Sequence, residues 1–430
     1  MKVAIYWFKR DLRIEDNRGL YYASKIADKI IPIFIIDPYL LSDFKISQDD
    51  ERVAFLFDIL ENLNNELEFY VFYDKTDAVF GNLFKNYKID FLVTSEPLTP
   101  SGRARLETVS NICKLNNVKL IEVKDNLLVN ENIYSMRPFH LFFNDWINKI
   151  ESKIKNVEKI KILEINETKF DEIKKKIKIK KSKYWKYEQI YEILDYDFKK
   201  YNVNSKSLEN SSKVSPYLRM GLISVRKLFN LAKENKSYIR QLCWREYYYQ
   251  LFKTFPSMKN IELKPWARKI KWNYDDELIN AFKEGKTGYP IIDAGIKELK
   301  ERKWIHNRIR LLLGSFLTKN LAIDWRIGEE FFKEHLIDYD EALNIGNWQW
   351  VASVGVDYQN FRYFNPIIQS KKFDSDCRYI KKNIPDLATH ECRMLHDPIK
   401  YKLNYYSPIV DFQTSIKNTK SIYVKAFNKN

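Results

Sequence analysis

Residues 338–366, DYDEALNIGNWQWVASVGVDYQNFRYFNP, form the stretch from which we infer the fold of the second half of the chain. Asp338 and Asp340 lie two residues apart, and Asn344 follows one helical turn later. Acidic runs on helices usually face solvent, but the aromatic residues that continue to Phe364 predict burial here. Because buried carboxylates and amides need polar partners, the three residues are predicted to hold a polar group inside an apolar pocket.

Length and charge set the class of protein. The chain has 430 residues, which favours two domains over a single core, and 45% of them are hydrophobic. A net charge of +16 and a pI of about 9.3 make nucleic acid the first candidate partner. Lys, Ile, Asn and Tyr are abundant throughout, so part of this charge reflects composition rather than a binding site.

The cysteine pattern indicates a cytoplasmic protein without disulfides. The four cysteines are scattered, with no CxxC pair: Cys113, Cys243, Cys377 and Cys392. His390, Cys392 and His396 lie close together, but no second ligand pair is evident and no metal site is expected. No apolar run approaches the length of a membrane span, so no membrane association is predicted.

The first 125 residues alternate short apolar runs with amphipathic segments of helical period. The apolar runs cover residues 3–8, 30–37, 68–74, 90–96 and 119–125. This alternation predicts an α/β domain with a doubly wound, five-stranded parallel sheet. No GxGxxG motif follows the first run, which leads into Lys9–Arg13 instead, so a conventional dinucleotide site is not expected.

The remainder of the chain predicts helices. Residues 126–195 are rich in Lys and are predicted to form a solvated helical connector. After about residue 195 the strand signals disappear, and successive segments with helical period predict an all-α domain over 196–430. Within it, Ser211, Ser212 and Ser215 precede Pro216, as expected at a helix N-terminus, which is also a good site for a phosphate.

Several motifs together resemble the DNA photolyase and cryptochrome family. They are FKRDLRIEDNRGL (8–20), SSKVSPYLRMG (211–221), CWREYYYQLF (243–252), WIHNRIRLLL (304–313) and the opening stretch. The resemblance implies that the α/β domain carries an accessory antenna pigment and that the helical domain binds FAD. A folate, a deazaflavin or a second flavin would each suit the antenna site, and the sequence does not distinguish them.

The resemblance also implies a set of FAD contacts. Residues of the serine-rich segment would bind the pyrophosphate: Ser211, Ser212, Val214 and Ser215. Asn307 and Arg310 would lie at the flavin, with Arg310 paired to Asp338. Asp340 would bind the ribityl chain and the isoalloxazine edge, and Asn344 would face flavin N5. In the family, a tyrosine that precedes the segment 211–221 also contacts the cofactor. Its counterpart in this chain is not assigned, because Tyr196, Phe198 and Tyr201 are all candidates.

Tryptophans carry two further roles in the family. Trp348, Trp325 and Trp272 match its electron-transfer chain, with Trp348 nearest the flavin and Trp272 nearest solvent, although Trp is more often a core residue. Trp244 and Trp350 match the residues that stack against bases flipped out of the duplex. Residues implied to contact the lesion or the DNA backbone beside them are Gln241, Arg245, Arg362, Lys371 and Lys372.

Two positions depart from the usual pattern of cyclobutane-dimer repair, and one of them, Gln241, is ambiguous because enzymes for the (6-4) photoproduct also tend to have Gln there. Gln241 stands where cyclobutane-dimer enzymes usually have Glu, and Leu311 stands where they usually have Met. Enzymes for the (6-4) photoproduct use a His pair at the positions of Asn307 and Leu311, and neither residue can transfer a proton at pH 7.

We therefore predict a monomeric class I photolyase that repairs cyclobutane pyrimidine dimers in DNA. The resemblance implies that the excited, reduced FADH⁻ gives the dimer an electron and takes it back after the ring splits. The alternatives are a cryptochrome photoreceptor without repair activity and a basic, helical nucleic-acid-binding protein without a cofactor.

Overall fold

A computed structural model describes residues 1–43, 45–47, 49–134, 138–157, 159–167, 170–177, 179–201, 207–208, 211–356 and 361–428. The chain forms two compact units. The first unit comprises Met1–Lys199 and Ser212–Thr254, and the second comprises Lys200–Ser211 and Phe255–Asn430. The predicted domain boundaries at residues 125 and 195 stay predictions.

The first unit contains the predicted five-stranded parallel sheet, which is confirmed. Its strands are β1 (Val3–Phe8), β2 (Lys29–Ile36), β3 (Tyr70–Tyr73), β4 (Phe91–Ser95) and β5 (Lys119–Val123). They lie in the order β3-β2-β1-β4-β5. The central strand β1 is buried along its whole length, and Ile5 pairs with Ile31 on one side and with Leu92 on the other. Such fully apolar strands are typical of a sheet that is covered on both faces.

Side-chain caps start several helices of this unit. Asn17 accepts a hydrogen bond from the Leu20 backbone, and Thr99 accepts one from Gly102. The helices of the unit are Arg18–Ile26, Pro38–Asp43, Glu51–Glu66, Thr76–Asn86, Pro100–Leu115, Phe139–Ile147, Phe170–Ile177, Ile190–Leu194, Ser215–Met220, Val225–Ala232 and Lys236–Thr254.

Two of the sequence motifs meet inside the first unit. Gly221, at φ +79°, packs so closely that an added Cβ would lie 2.1 Å from the Arg10 carbonyl oxygen, so only glycine fits there. Five residues later the fully buried Arg226 donates to Asp16 and to Asp125, each at 2.7 Å. This network joins segments more than 200 residues apart, and each buried charge in it has a partner.

The described residues of the second unit form helices and no named strand, which confirms the predicted helical fold there. The α-helices are Asp276–Glu284, Pro290–Arg302, Asn307–Ser315, Trp325–His335, Glu341–Val351, Pro366–Phe373, Arg378–Asn383, Cys392–His396 and Phe412–Phe427, and a π-helix spans Phe316–Asn320. Gly328 and Gly314 let the helices Trp325–His335 and Asn307–Ser315 approach Trp348 closely.

Candidate functional site

An ion pair lies at the start of the acidic stretch. Arg310 Nη2 donates to Asp338 Oδ2 at 2.7 Å and to Oδ1 at 3.0 Å, while its Nε donates to the Ile305 carbonyl at 3.1 Å. The Asp338 side chain is 3% exposed and that of Arg310 is 24% exposed. The predicted pairing of these two residues is therefore confirmed, and part of the guanidinium remains accessible for another group.

The next acidic residue positions a helix. Asp340 is buried and caps the helix Glu341–Val351 by accepting from the Leu343 backbone at 3.3 Å. The helix in turn carries Asn344, whose side-chain nitrogen donates to the Glu329 carboxylate at 3.0 Å and to its carbonyl at 3.1 Å. As a result, the nitrogen end of the Asn344 amide is committed to Glu329, and its oxygen is the end left to accept.

Glu329 itself is held by a second donor. Tyr339 donates its hydroxyl proton to Glu329 Oε1 at 2.8 Å. Burial raises the pKa of the Glu329 carboxyl above its ordinary value, whereas the hydrogen bonds from Tyr339 and Asn344 lower it. Sequence reasoning missed Glu329 and Tyr339, although Glu329 lies one helical turn after Trp325 and so shares its helix face.

The three tryptophans of the predicted electron-transfer chain differ in exposure. Trp348 is 2% exposed, its indole nitrogen has no hydrogen-bond partner, and its ring packs on Phe332 with centroids 4.9 Å apart. Trp325 is fully buried and donates to Glu262 at 3.2 Å. Trp272 is partly exposed. Trp348 and Trp325 are thus both buried, and Trp272 is the member of the predicted chain that reaches solvent.

The start of the helix Ser215–Met220 differs from the expectation, and the helix Asn307–Ser315 has a cap that the sequence analysis did not name. The helix Ser215–Met220 begins after Val214, and no side chain caps it, so the expected serine cap is wrong. Asn307 is exposed, and the residue before it, His306, caps the helix Asn307–Ser315 by accepting from the Arg308 backbone at 3.1 Å.

The predicted lesion-binding residues of the first unit lie on the helix Lys236–Thr254. Trp244 is partly exposed, and one face of its indole stacks on Phe139 with centroids 3.6 Å apart and planes 2° apart. Gln241 is exposed one turn earlier. Arg245 donates to the Asn126 carbonyl at 2.9 Å and covers the ring of Tyr249.

A buried glutamate anchors the same helix. Glu246 accepts from the backbone nitrogens of Leu128 and Val129 and from the Trp146 indole at 2.7 Å. Trp146 and Glu246 are both fully buried. The glutamate of the WREYY motif therefore fixes the helix to the preceding segment rather than facing a ligand.

The remaining predicted contacts lie in the second unit. Trp350 is partly exposed, and the Arg362 guanidinium lies 4.8 Å from its ring centroid. Lys371 and Lys372 are exposed in the last turn of the helix Pro366–Phe373. Because Trp244 belongs to the other unit, the joint action of Trp244 and Trp350 stays a prediction.

Comparison with known proteins gives full-length matches. The family model described as DNA photolyase matches residues 4–161, and the one described as FAD binding domain of DNA photolyase matches 238–425. A deoxyribodipyrimidine photo-lyase of Buchnera aphidicola subsp. Baizongia pistaciae is 31% identical, with 99% of each chain covered.

Solved structures are similar over the same length. An archaeal photolyase from Sulfolobus tokodaii, solved with two FAD molecules, is 32% identical with a TM-score of 0.90, and the match covers 98% of this chain and 100% of that one. A Synechocystis cryptochrome has a TM-score of 0.85 over 98% of this chain and 99% of its own, but at 22% identity it shows the fold alone.

Proposed function

The chain belongs to the DNA photolyase family, and we propose how its residues divide the work of light-driven DNA repair. It is an FAD enzyme whose substrate is DNA, and a cryptochrome-type photoreceptor is less supported. The proposed lesion is the cyclobutane pyrimidine dimer of class I enzymes. Asn307 and Leu311 support this choice, because neither side chain can replace the proton-transferring His pair of (6-4) repair.

The orientation of the Asn344 amide is the observation that carries the proposed flavin site. Glu329 holds the amide nitrogen, so the oxygen is available to accept the N–H that reduced flavin carries at N5. Arg310 and Asp338 supply a charged, partly accessible ion pair in the same unit. Bound reduced FAD supplies the electron that opens the dimer under blue light.

The rest of the FAD contacts follow from the family motifs. Asp340 is proposed to contact the ribityl chain and the isoalloxazine edge, and Asn307 to contact the flavin region. The segment before Pro216 is proposed to bind the pyrophosphate through Ser211, Ser212, Val214 and Ser215.

Trp348, Trp325 and Trp272 are proposed to carry electrons from solvent to the flavin during photoreduction. The partial exposure of Trp272, beside the burial of Trp348 and Trp325, supports placing Trp272 at the solvent end. The close packing of Gly328 against Trp348 supports a fixed position for the innermost ring.

On the DNA side, Trp244 and Trp350 are proposed to stack on the flipped dimer, with Gln241 bonding a pyrimidine edge. Phe139 covers one face of Trp244 and so leaves at most the other face for a base. The proposed phosphate contacts are Arg245, Arg362, Lys371 and Lys372. Of these the two lysines are the most exposed, whereas both arginines also pack on aromatic rings.

For the antenna we propose a second flavin. The 32% identity to an archaeal photolyase solved with two FAD molecules supports it. The reversal of strand order between β1 and β4 offers a crevice at their carboxyl ends, where open parallel sheets bind ligands. We further propose that the enzyme is monomeric and cytoplasmic. Within the described ranges, every helix is too short or too polar to span a bilayer.

Repair of an oligonucleotide with one cyclobutane thymine dimer tests the proposal. We expect dimer loss in blue light with reductant, none in the dark, and none with a (6-4) substrate. Trp244→Ala should reduce lesion preference by about 1–3 kcal/mol, or roughly 5- to 150-fold, while FAD stays bound.

Trp272→Phe is the matched control, because it should slow photoreduction yet leave repair by chemically reduced enzyme intact. Unchanged lesion preference in Trp244→Ala would remove Trp244 from the proposed site. Repair of the (6-4) substrate alone would overturn the choice of lesion.

A further inference from the structure

Three potential metal ligands converge in the second unit. They are Cys377, Cys392 and His396, and one ligand atom of each lies within 4.8 Å of the others. The sequence had grouped His390 with Cys392 and His396. The fold instead brings in Cys377, which lies fifteen residues before Cys392 in the chain.

The backbone around the cluster holds these ligands on short elements. Cys392 and His396 are four residues apart on the helix Cys392–His396, so they share one face. Cys377 precedes the helix Arg378–Asn383 and has φ 57° and ψ 21°, a left-handed conformation that non-glycine residues rarely adopt. Residues in such conformations persist only where their surroundings fix them, and they concentrate at functional sites.

One distance in the cluster is close to that of a tetrahedral metal site. Cys377 Sγ lies 3.4 Å from His396 Nε2. Bond lengths of about 2.3 Å to sulfur and 2.05 Å to nitrogen give a tetrahedral S···N edge of about 3.6 Å. The sulfur also lies 3.9 Å from His396 Nδ1, so it stands beside the ring, and the imidazole must turn for Nε2 and the sulfur to share one ion.

A second-shell contact orients the histidine. Ser370 Oγ lies 2.7 Å from His396 Nδ1, and Ser370 is 1% exposed. His396 Nε2 lies 3.4 Å from Cys377 Sγ and 3.3 Å from the Ser375 carbonyl oxygen, so a bound ion would replace the contact with Ser375. Metal-binding histidines are held by such a partner on their other nitrogen.

We propose that Cys377, Cys392 and His396 bind a Zn²⁺ ion, with water as the fourth ligand. Two thiolates and an imidazole suit zinc and exclude Mg²⁺ and Ca²⁺, which prefer oxygen. Each thiol releases its proton to solvent as the ion binds. Cys377 is fully buried but Cys392 is partly exposed, so water has access from that side. The ion would tie the helix Cys392–His396 to the turn at Cys377.

Metal analysis of the full-length, FAD-loaded protein tests the site. After dialysis with Zn²⁺ and removal of the excess, we expect one zinc per chain by mass spectrometry. Cys392→Ser and His396→Gln should lose it, and Ser370→Ala should weaken zinc affinity by about 10- to 100-fold. Cys113→Ala, which removes a buried cysteine outside the cluster, should keep the full content.

A Co²⁺ titration of the unaltered protein covers variants that fail to fold. A tetrahedral thiolate site should give visible Co²⁺ bands at wavelengths beyond the absorption of oxidised flavin, and Zn²⁺ should abolish them. No metal and no bands would overturn the proposal, as would a Cys377–Cys392 disulfide in freshly purified protein. Equal zinc in all variants would mean adventitious binding and would overturn it too.

Discussion

His306 should make the folded protein sensitive to mild acid. Its ring is 8% exposed and accepts from the Arg308 backbone. Burial, reinforced by the charges of Arg308 and Arg310, lowers the pKa of His306 from 6.5 to about 4. At pH 7 both folded and unfolded chains hold it neutral. As the pH falls below 6.5 the unfolded chain takes up a proton that the folded chain refuses until about pH 4, so folding loses stability in that window.

The size of this effect follows from the two pKa values. Their gap, at ~1.36 kcal/mol per pH unit, limits the total to about 3 kcal/mol, and the part lost between pH 7 and pH 5 is about 2 kcal/mol. Other groups also titrate between pH 7 and pH 5, so the effect must be measured as a difference between variants. His306→Asn is the suitable variant, because Asn keeps the helix cap but does not titrate.

The assay is urea unfolding of both proteins at pH 7 and at pH 5, followed by circular dichroism. The unaltered protein should lose about 2 kcal/mol more than His306→Asn on acidification. Any cost of the smaller side chain is present at both pH values and cancels. Equal losses in the two proteins would refute the conclusion that a buried, neutral His306 caps this helix.

Three further substitutions test the site and its support. Gly328→Ala places a methyl group against Trp348, so it should lower the unfolding free energy by ~1–3 kcal/mol and slow photoreduction. Gly81→Ala is the control: its added carbon meets nothing within 4 Å, so neither the unfolding free energy nor the rate of photoreduction should fall. Glu246→Gln replaces the carboxylate that accepts from two backbone N–H groups and the Trp146 indole with an amide, which is a weaker acceptor. The unfolding free energy should therefore fall by ~1–3 kcal/mol, and an unchanged urea midpoint would contradict the anchoring role. Asp338→Asn removes the charge from a largely buried ion pair and should weaken FAD retention at least ~10-fold, measured by flavin absorbance after gel filtration; full retention contradicts the assignment.

The exposure of the proposed DNA contacts bears on how binding should respond to salt. Lys371 and Lys372 are exposed, whereas Arg245 is committed to the Asn126 carbonyl. Each neutralised phosphate steepens the fall of affinity with salt. The lysines are therefore the residues whose removal should reduce that slope most directly.

Sequence alone determined the five strands and the helical character of the second unit. The five strands were found because a strand buried on both faces reads as a short apolar run, and the helices because their period repeats within a few residues. The pairing of Arg310 with Asp338 was also predicted, but only through the family motif that contains them. The serine cap was wrong, since local composition does not fix which residue precedes a helix.

Only the tertiary structure decided how the side chains of the site are oriented. Glu329 accepts from the Asn344 amide nitrogen and so orients it, although the two residues are fifteen positions apart. Phe139 stacks on Trp244 from more than 100 residues upstream. Cys377 lies within 4.8 Å of the ligand atoms of Cys392 and His396. The physical reason is one of range. Period and capping depend on neighbours along the chain, whereas these contacts depend on how separate elements pack, which no local pattern records.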